Sequence, residues 1–185
     1  MLFVSVKGKV NQLAKALGDE APRRLKKEVA AAVNAAAKRT QNLLAKEVSK
    51  ELATSQKVIK EGISVTKKAT PENLNAEVTQ KESQRLSLKR FGAQQTKTGV
   101  RYKISKTKGR KFVKGAFKAM TLGEHIYKRE GETRLPIQKL YGPSPWGVTV
   151  KNKLDEVVTN RDIKPELIKQ LDRRIKAVNF KKSQG

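Results

Sequence analysis

Glu124 and His125 are the one place in the sequence where a carboxylate and an imidazole are neighbours, and so the first place to look for proton transfer. Adjacent residues of a strand point to opposite faces, which keeps this pair from converging on one substrate atom. With no cysteine and one histidine, the chain has no disulfide framework and no thiolate or imidazole set for a metal. The phosphate loops G-x-x-x-x-G-K-S/T and G-x-G-x-x-G and the nucleophile elbow G-x-S-x-G are missing. The charged turn Glu130-Gly131-Glu132 reads as a solvated hairpin end. These observations predict a protein that is not an enzyme, needs no cofactor and takes no small-molecule substrate.

Charge is the chemistry that remains. Residues 83–123 contain no Asp or Glu, yet carry Arg85, Lys89, Arg90, Lys97, Arg101, Lys103, Lys106, Lys108, Arg110, Lys111, Lys114 and Lys118. On an antiparallel sheet alternate residues share a face, so Arg101 and Lys103 should project together, and residues 106–111 should form a basic tip. Such a surface attracts phosphate regardless of sequence and loses its hold steeply as salt rises. The same run also suits a plain solvated face, and an acidic protein would neutralise it as well as DNA would. Phe91, Tyr102, Phe112 and Phe117 stand nearby at strand spacing, which suits a core; stacking on single strands is their other use. Helix-turn-helix, zinc-finger and RNP signatures are missing, so base-specific readout is not expected. An enzyme acting on nucleic acid would need clustered carboxylates for its metal, which this region lacks.

Periodicity gives the elements that must position these cations. Residues 2–6 alternate weakly as a short strand or arm, and residues 9–17 form a short helix ended by Gly18. Asp19 as N-cap, Pro22 in the first turn and apolar residues from Leu25 to Leu52, mostly three or four apart, predict one long helix over about 20–53. Its alanine block at 30–37 has high helix propensity and also lets another backbone approach closely. Strands are predicted at 63–66 and 74–79, then at 90–95, 100–105, 112–121, 125–129 and 136–141, with turns at Gly99, Gly109, Gly123 and Gly131. Ser144 and Pro145 restart a helix with Val150, Leu154, Val157 and Val158 on one face, and a second helix begins near Pro165. The fold class is therefore α+β: a long N-terminal helix, an antiparallel twisted sheet or half-barrel, and two C-terminal helices. A single domain is expected, with 1–55 a helical arm, 63–141 mainly β and 145–180 helical.

Composition bounds the partners. Lys and Arg number 42 against 17 Asp and Glu, a formal net charge of +25, and repulsion on that scale destabilises an isolated compact subunit. The apolar fraction of 37 %, much of it alanine, supports a thin core that contacts with other copies would complete. Residues 2–6 are too short for a signal sequence, and no stretch reaches the ~18 apolar residues of a membrane span. The expectation is a protein made in a cytosol-like compartment, without membrane partners, that leaves the cell only inside an assembly.

The run His125-Ile126-Tyr127-Lys128-Arg129-Glu130-Gly131-Glu132-Thr133-Arg134-Leu135-Pro136-Ile137-Gln138-Lys139-Leu140-Tyr141-Gly142-Pro143-Ser144 resembles the phage minor tail protein Z family. That family has a strand ending in basic residues, a Gly turn, Arg-x-Pro-Ile and a Leu-Tyr-Gly-Pro-Ser-like close before a helix. The alanine-rich helix, the basic segment 56–61, Gly115-Ala116-Phe117 and the C-terminal helical pair follow the family's order. The resemblance implies a structural tail-completion protein of the virion, assembled in the host cytoplasm and without a cofactor. It implies a homo-oligomeric ring, hexameric, at the head-proximal neck, between the tail tube or tail terminator protein and the head–tail connector, with channel DNA as a further contact. The alternative is a free, sequence-nonspecific nucleic-acid-binding protein.

Two sets of residues follow as candidates. Contacts to DNA or an acidic partner fall to Arg85, Lys89, Arg90, Arg101, Lys103, Lys106, Lys108, Arg110, Lys111 and Lys114. A subunit interface falls to Arg134, Leu135, Pro136, Ile137, Leu140 and Tyr141. Pro136 cannot donate to a ladder, so its strand should start there or lie at an edge, and edges are natural contacts. The large side chains of this set would serve the fold's own interior equally well.

Overall fold

The computed structural model describes residues 21–183, so the strand expected at 2–6 and the helix expected at 9–17 lie outside the described residues. The described residues group into two compact units interleaved along the chain. The first holds the described residues up to 44, residues 63–79 and those from 155 onward; the second holds 45–62 and 80–154.

Helix α1, Ala21–Glu51, contains no glycine and no proline after Pro22, so nothing interrupts its backbone ladder. In the first unit its small residues Ala32 and Ala36 are buried beside Val29. The polar interruption of the alanine block has a definite task. Asn34 Nδ2 donates to Ala69 O at 2.9 Å and Asn34 Oδ1 accepts from Ala69 N at 2.8 Å, a reciprocal pair that imitates a strand partner. Gln41 Nε2 likewise donates to Ile63 O, at the start of β1, Ile63–Lys67. With β2, Glu77–Gln80, this strand makes a two-stranded sheet.

The C-terminal helices depart from the expected division. Helix α3 of the second unit, Pro145–Lys151, ends at a turn where Lys153 takes φ +46°. Helix α4, Leu154–Val158, then runs through a wide π turn, Thr159–Ile163, into α5, Lys164–Ser183. Leu154, Val157 and Val158 thus do not continue the helix of Val150, which is 53 % exposed. The break moves away from Pro165 because the π turn precedes it: Lys164 N bonds Thr159 O, five residues back. Widening the turn accommodates a ring that has no N–H and would crowd the carbonyl four residues before it. Val158, Ile163, Leu167 and Leu171 form the buried stripe, and Arg174 pairs with Glu28 of α1 at 2.6 Å.

In the second unit, helix α2, Gln56–Lys60, is capped by Ser55, whose side chain accepts from Val58 N. Two three-stranded antiparallel sheets follow. One contains β3, Gln94–Gln95, β4, Gly99–Tyr102, and β5, Lys111–Lys114; the other contains β6, Ala116–Ala119, β7, His125–Arg129, and β8, Ile137–Lys139. The expected antiparallel pairing is present, spread over small sheets of which none closes into a barrel. The strand expected at 112–121 is divided at Gly115, whose φ of +74° turns the chain out of one sheet and into the next. The strand expected at 90–95 opens instead within a 3₁₀ turn, Leu88–Phe91, ended by Gly92 at φ +61°, so that only Gln94–Gln95 is strand. Phe91, Val100, Ile126 and Ile59 are fully buried, so Phe91 is a core residue while Phe112 is 47 % exposed.

Candidate functional site

The predicted cations lie in the second unit, and the sheet divides them. Cross-strand partners share a face, so Gln94, Arg101, Phe112, Gly99 and Lys114 lie on one side of the β3–β4–β5 sheet. Tyr102, Lys111, Val100 and Val113 lie on the other. Arg110 Nη1 donates to Gln94 Oε1 at 2.7 Å, which holds its guanidinium by the first face. Lys103 lies past the end of β4, half-buried, with its backbone N–H donating to Phe91 O at 3.0 Å. The alternation that would align it with Arg101 has ended by then. Arg85, Lys89, Arg90, Lys106 and Lys108 are exposed outside the strands.

Lys108 and Lys111 do more than form a tip. They line a cleft of about 440 Å³, together with Lys151 of α3 and Glu51 at the end of α1. Leu52, Ile104, Pro143 and Val148 give the cleft an apolar lining. Its frame is tied by Ala53 N, which donates to Ile104 O at 2.7 Å, and by a bridge between Leu52 and Ser105. Lys151 was not singled out from sequence, because only the fold brings α3 opposite the β4–β5 loop.

A third group surrounds Glu124, the first acid after the basic run. Its carboxylate bridges Lys89 Nζ and Lys118 Nζ, each at 3.1 Å, and hydrogen bonds from these ammonium groups, with their charge, hold its pKa below the usual 4.5. His125 turns away toward Ser87 Oγ, 3.1 Å from Nδ1. Partial burial first, then the charges of Lys139, Lys89 and Arg90, hold its pKa below the usual 6.5. Lys118 is the member of this cluster absent from the candidate set; the acid that breaks a long acid-free run is the sequence signal that points to it.

The second candidate set lies on and around β8. This strand begins immediately after Pro136, where the ladder needs no donor from the proline, and it is also an edge of its sheet. Leu140 N donates to Ile126 O and Glu130 N to Pro136 O, so Gln138 faces β7 while the backbone groups of Ile137 and Lys139 face outward. Leu135 is 66 % and Tyr141 45 % exposed, whereas Ile137 and Leu140 are half-buried. Lys139 Nζ stands 5.5 Å from the ring centre of Tyr141. Arg134 is exposed.

Among the described residues no cluster of His, Asp and Glu could hold a metal ion, and no helix is long and apolar enough to cross a membrane. What the geometry offers is divided cationic surface, a small cleft lined by lysines and apolar residues, and a sheet edge at β8: the means of binding anionic or protein partners. No curated protein and no solved structure gives a match to the chain. The family profile described as prophage minor tail protein Z (GPZ) does match, over residues 19–179, a span that takes in both units. The chain therefore belongs to the prophage minor tail protein Z family and is a structural component of a phage tail.

Proposed function

We propose that this tail protein is a completion protein: copies of it close into a hexameric ring at the head-proximal end of the tail and make that end competent to join a head. The observation that carries the reading is the set of exposed cations that the acid-free segment 83–123 places on the second unit of a member of a tail family. Identical subunits placed side by side would concentrate that positive charge, and an anionic neighbour relieves it. DNA in the tail channel and acidic faces of the tail tube, tail terminator or connector proteins are such neighbours. The open edge of β8 and the exposed Leu135 and Tyr141 supply the subunit contacts.

The test is made on tails assembled without the chain and then with variants of it. Omission should leave tails of normal length that fail to join heads, seen by electron microscopy. Supplying the chain with Lys106, Lys108, Arg110 and Lys111 all changed to Glu should leave infectious titre close to that of omission. An unchanged titre would count against the charge reading, and tails of aberrant length would count against a completion role.

A further inference from the structure

The loop between β7 and β8, residues 130–136, is exposed along its whole length and carries Glu130, Glu132, Arg134 and Leu135. Although cations outnumber acids by 42 to 17 in the chain, neither glutamate has an ion-pair partner among the described residues. Lys108, Lys111 and Lys151 in the cleft are unpaired in the same sense, and so is Glu51. Glu61 and Glu82 of the same unit also lack an ion pair among the described residues; what sets the tip and the cleft apart is that each gathers several unpaired charges, mainly acidic on the one and mainly basic in the other. They do not meet within the chain, since no residue of the loop lines the cleft.

The match extends beyond net charge. Glu130 and Glu132 suit the lysines, Arg134 suits Glu51, and Leu135, 66 % exposed, suits the lining of Leu52, Ile104, Pro143 and Val148. A cleft of 440 Å³ admits the few side chains of a loop tip. A phosphate backbone would gain nothing from its apolar lining, so the occupant is protein. Resting on the ring reading above, we infer that the 130–136 loop of one copy seats in the lysine-lined cleft of the next. A contact between different patches repeats from subunit to subunit and closes a ring where the rotation between neighbours divides a full turn, whereas a self-complementary patch would stop at a dimer.

The absence of native cysteine allows a direct test. A Cβ added at Gly131 in the loop or at Gly109 beside the cleft meets nothing within 4 Å, so cysteine fits at either position. Gly131→Cys and epitope-tagged Gly109→Cys chains, co-expressed so that both enter the same tails, are treated with a short bismaleimide. The expected product is a dimer with one chain of each kind, and the chain bearing both cysteines should give a ladder. Only homodimers, only monomers, or an intrachain link in the double variant would overturn the contact. A lysine-directed cross-linker on the same tails separates the readings: a ring ladder without the mixed dimer sinks this contact and leaves the ring standing. Charge exchange provides the second arm. Glu130→Lys with Glu132→Lys should lower titre by about a hundredfold, and adding Lys108→Glu with Lys151→Glu should recover about tenfold or more of it. Failure of that recovery, with the variants shown to fold, overturns the pairing.

Discussion

Glu124 takes φ +57°, a conformation that costs a residue with a Cβ and persists only where its surroundings hold it. Lys89 and Lys118 supply that hold, and Lys89 Nζ adds a bond to Gly123 O at 3.2 Å. Next to it, partial burial and neighbouring cations lower the pKa of His125. Both groups therefore have lowered pKa values in the folded chain. A lowered value contributes stability that is present above the group's unfolded pKa and is lost as pH falls through the folded one. The melting temperature should thus decline below pH 6.5 as His125 takes up a proton, and again below 4.5 as Glu124 does. His125→Gln, which can still hydrogen-bond Ser87, should flatten the first decline and leave the second. Parallel pH profiles for the variant and the wild type would show that His125 carries no such linkage.

At the level of elements, the glycines decide how the cationic strands are arranged. A Cβ at Gly99 would fall against Val113 O in the paired strand β5, and the backbone cannot yield there as a flexible side chain could. Gly115 has open space around it but φ +74°, so its substitution meets only the conformational cost, about 1–2 kcal/mol. Gly99→Ala should then lower the melting temperature further than Gly115→Ala, at about 2–4 °C per kcal/mol for a chain of this size. Equal losses in thermal melts would contradict the steric account. The same glycines mark the limit of what the sequence could tell. The long helix, the hairpin and β7 were legible because their periodicity is local. Gly115 was visible, but nothing in residues 112–121 announced that it parts two sheets, since that depends on partners in distant strands. The π turn escaped for a similar reason, because a proline reads as a helix start unless the preceding turn is known to widen. The start of β8 was legible from Pro136 alone. The cleft was not, as it joins Glu51, Lys108 and Lys151 from remote parts of the chain.

For the whole molecule the governing quantity is the net charge of +25. The ion pairs are mostly exposed, and such pairs contribute about 0–1 kcal/mol each, so screening them costs little. Screening the repulsion gains more, because every cation of the 83–123 segment feels many others within a Debye length at low salt. The free subunit should therefore become more stable as salt rises, by roughly 5 °C between ~20 and ~300 mM, while the Debye length contracts from about 20 to about 6 Å. A melting temperature that falls with salt would mean that internal pairing outweighs repulsion. Lys108→Ala with Lys111→Ala sharpens the test, since neither lysine has an ion-pair partner among the described residues. Removing them should stabilise the free subunit at low salt, by about 0.5 kcal/mol or less each, and the gain should vanish at high salt. On the reading proposed above the assembled tail requires the charge of these lysines, and lysines that weaken the subunit alone would then be there for what the subunit meets.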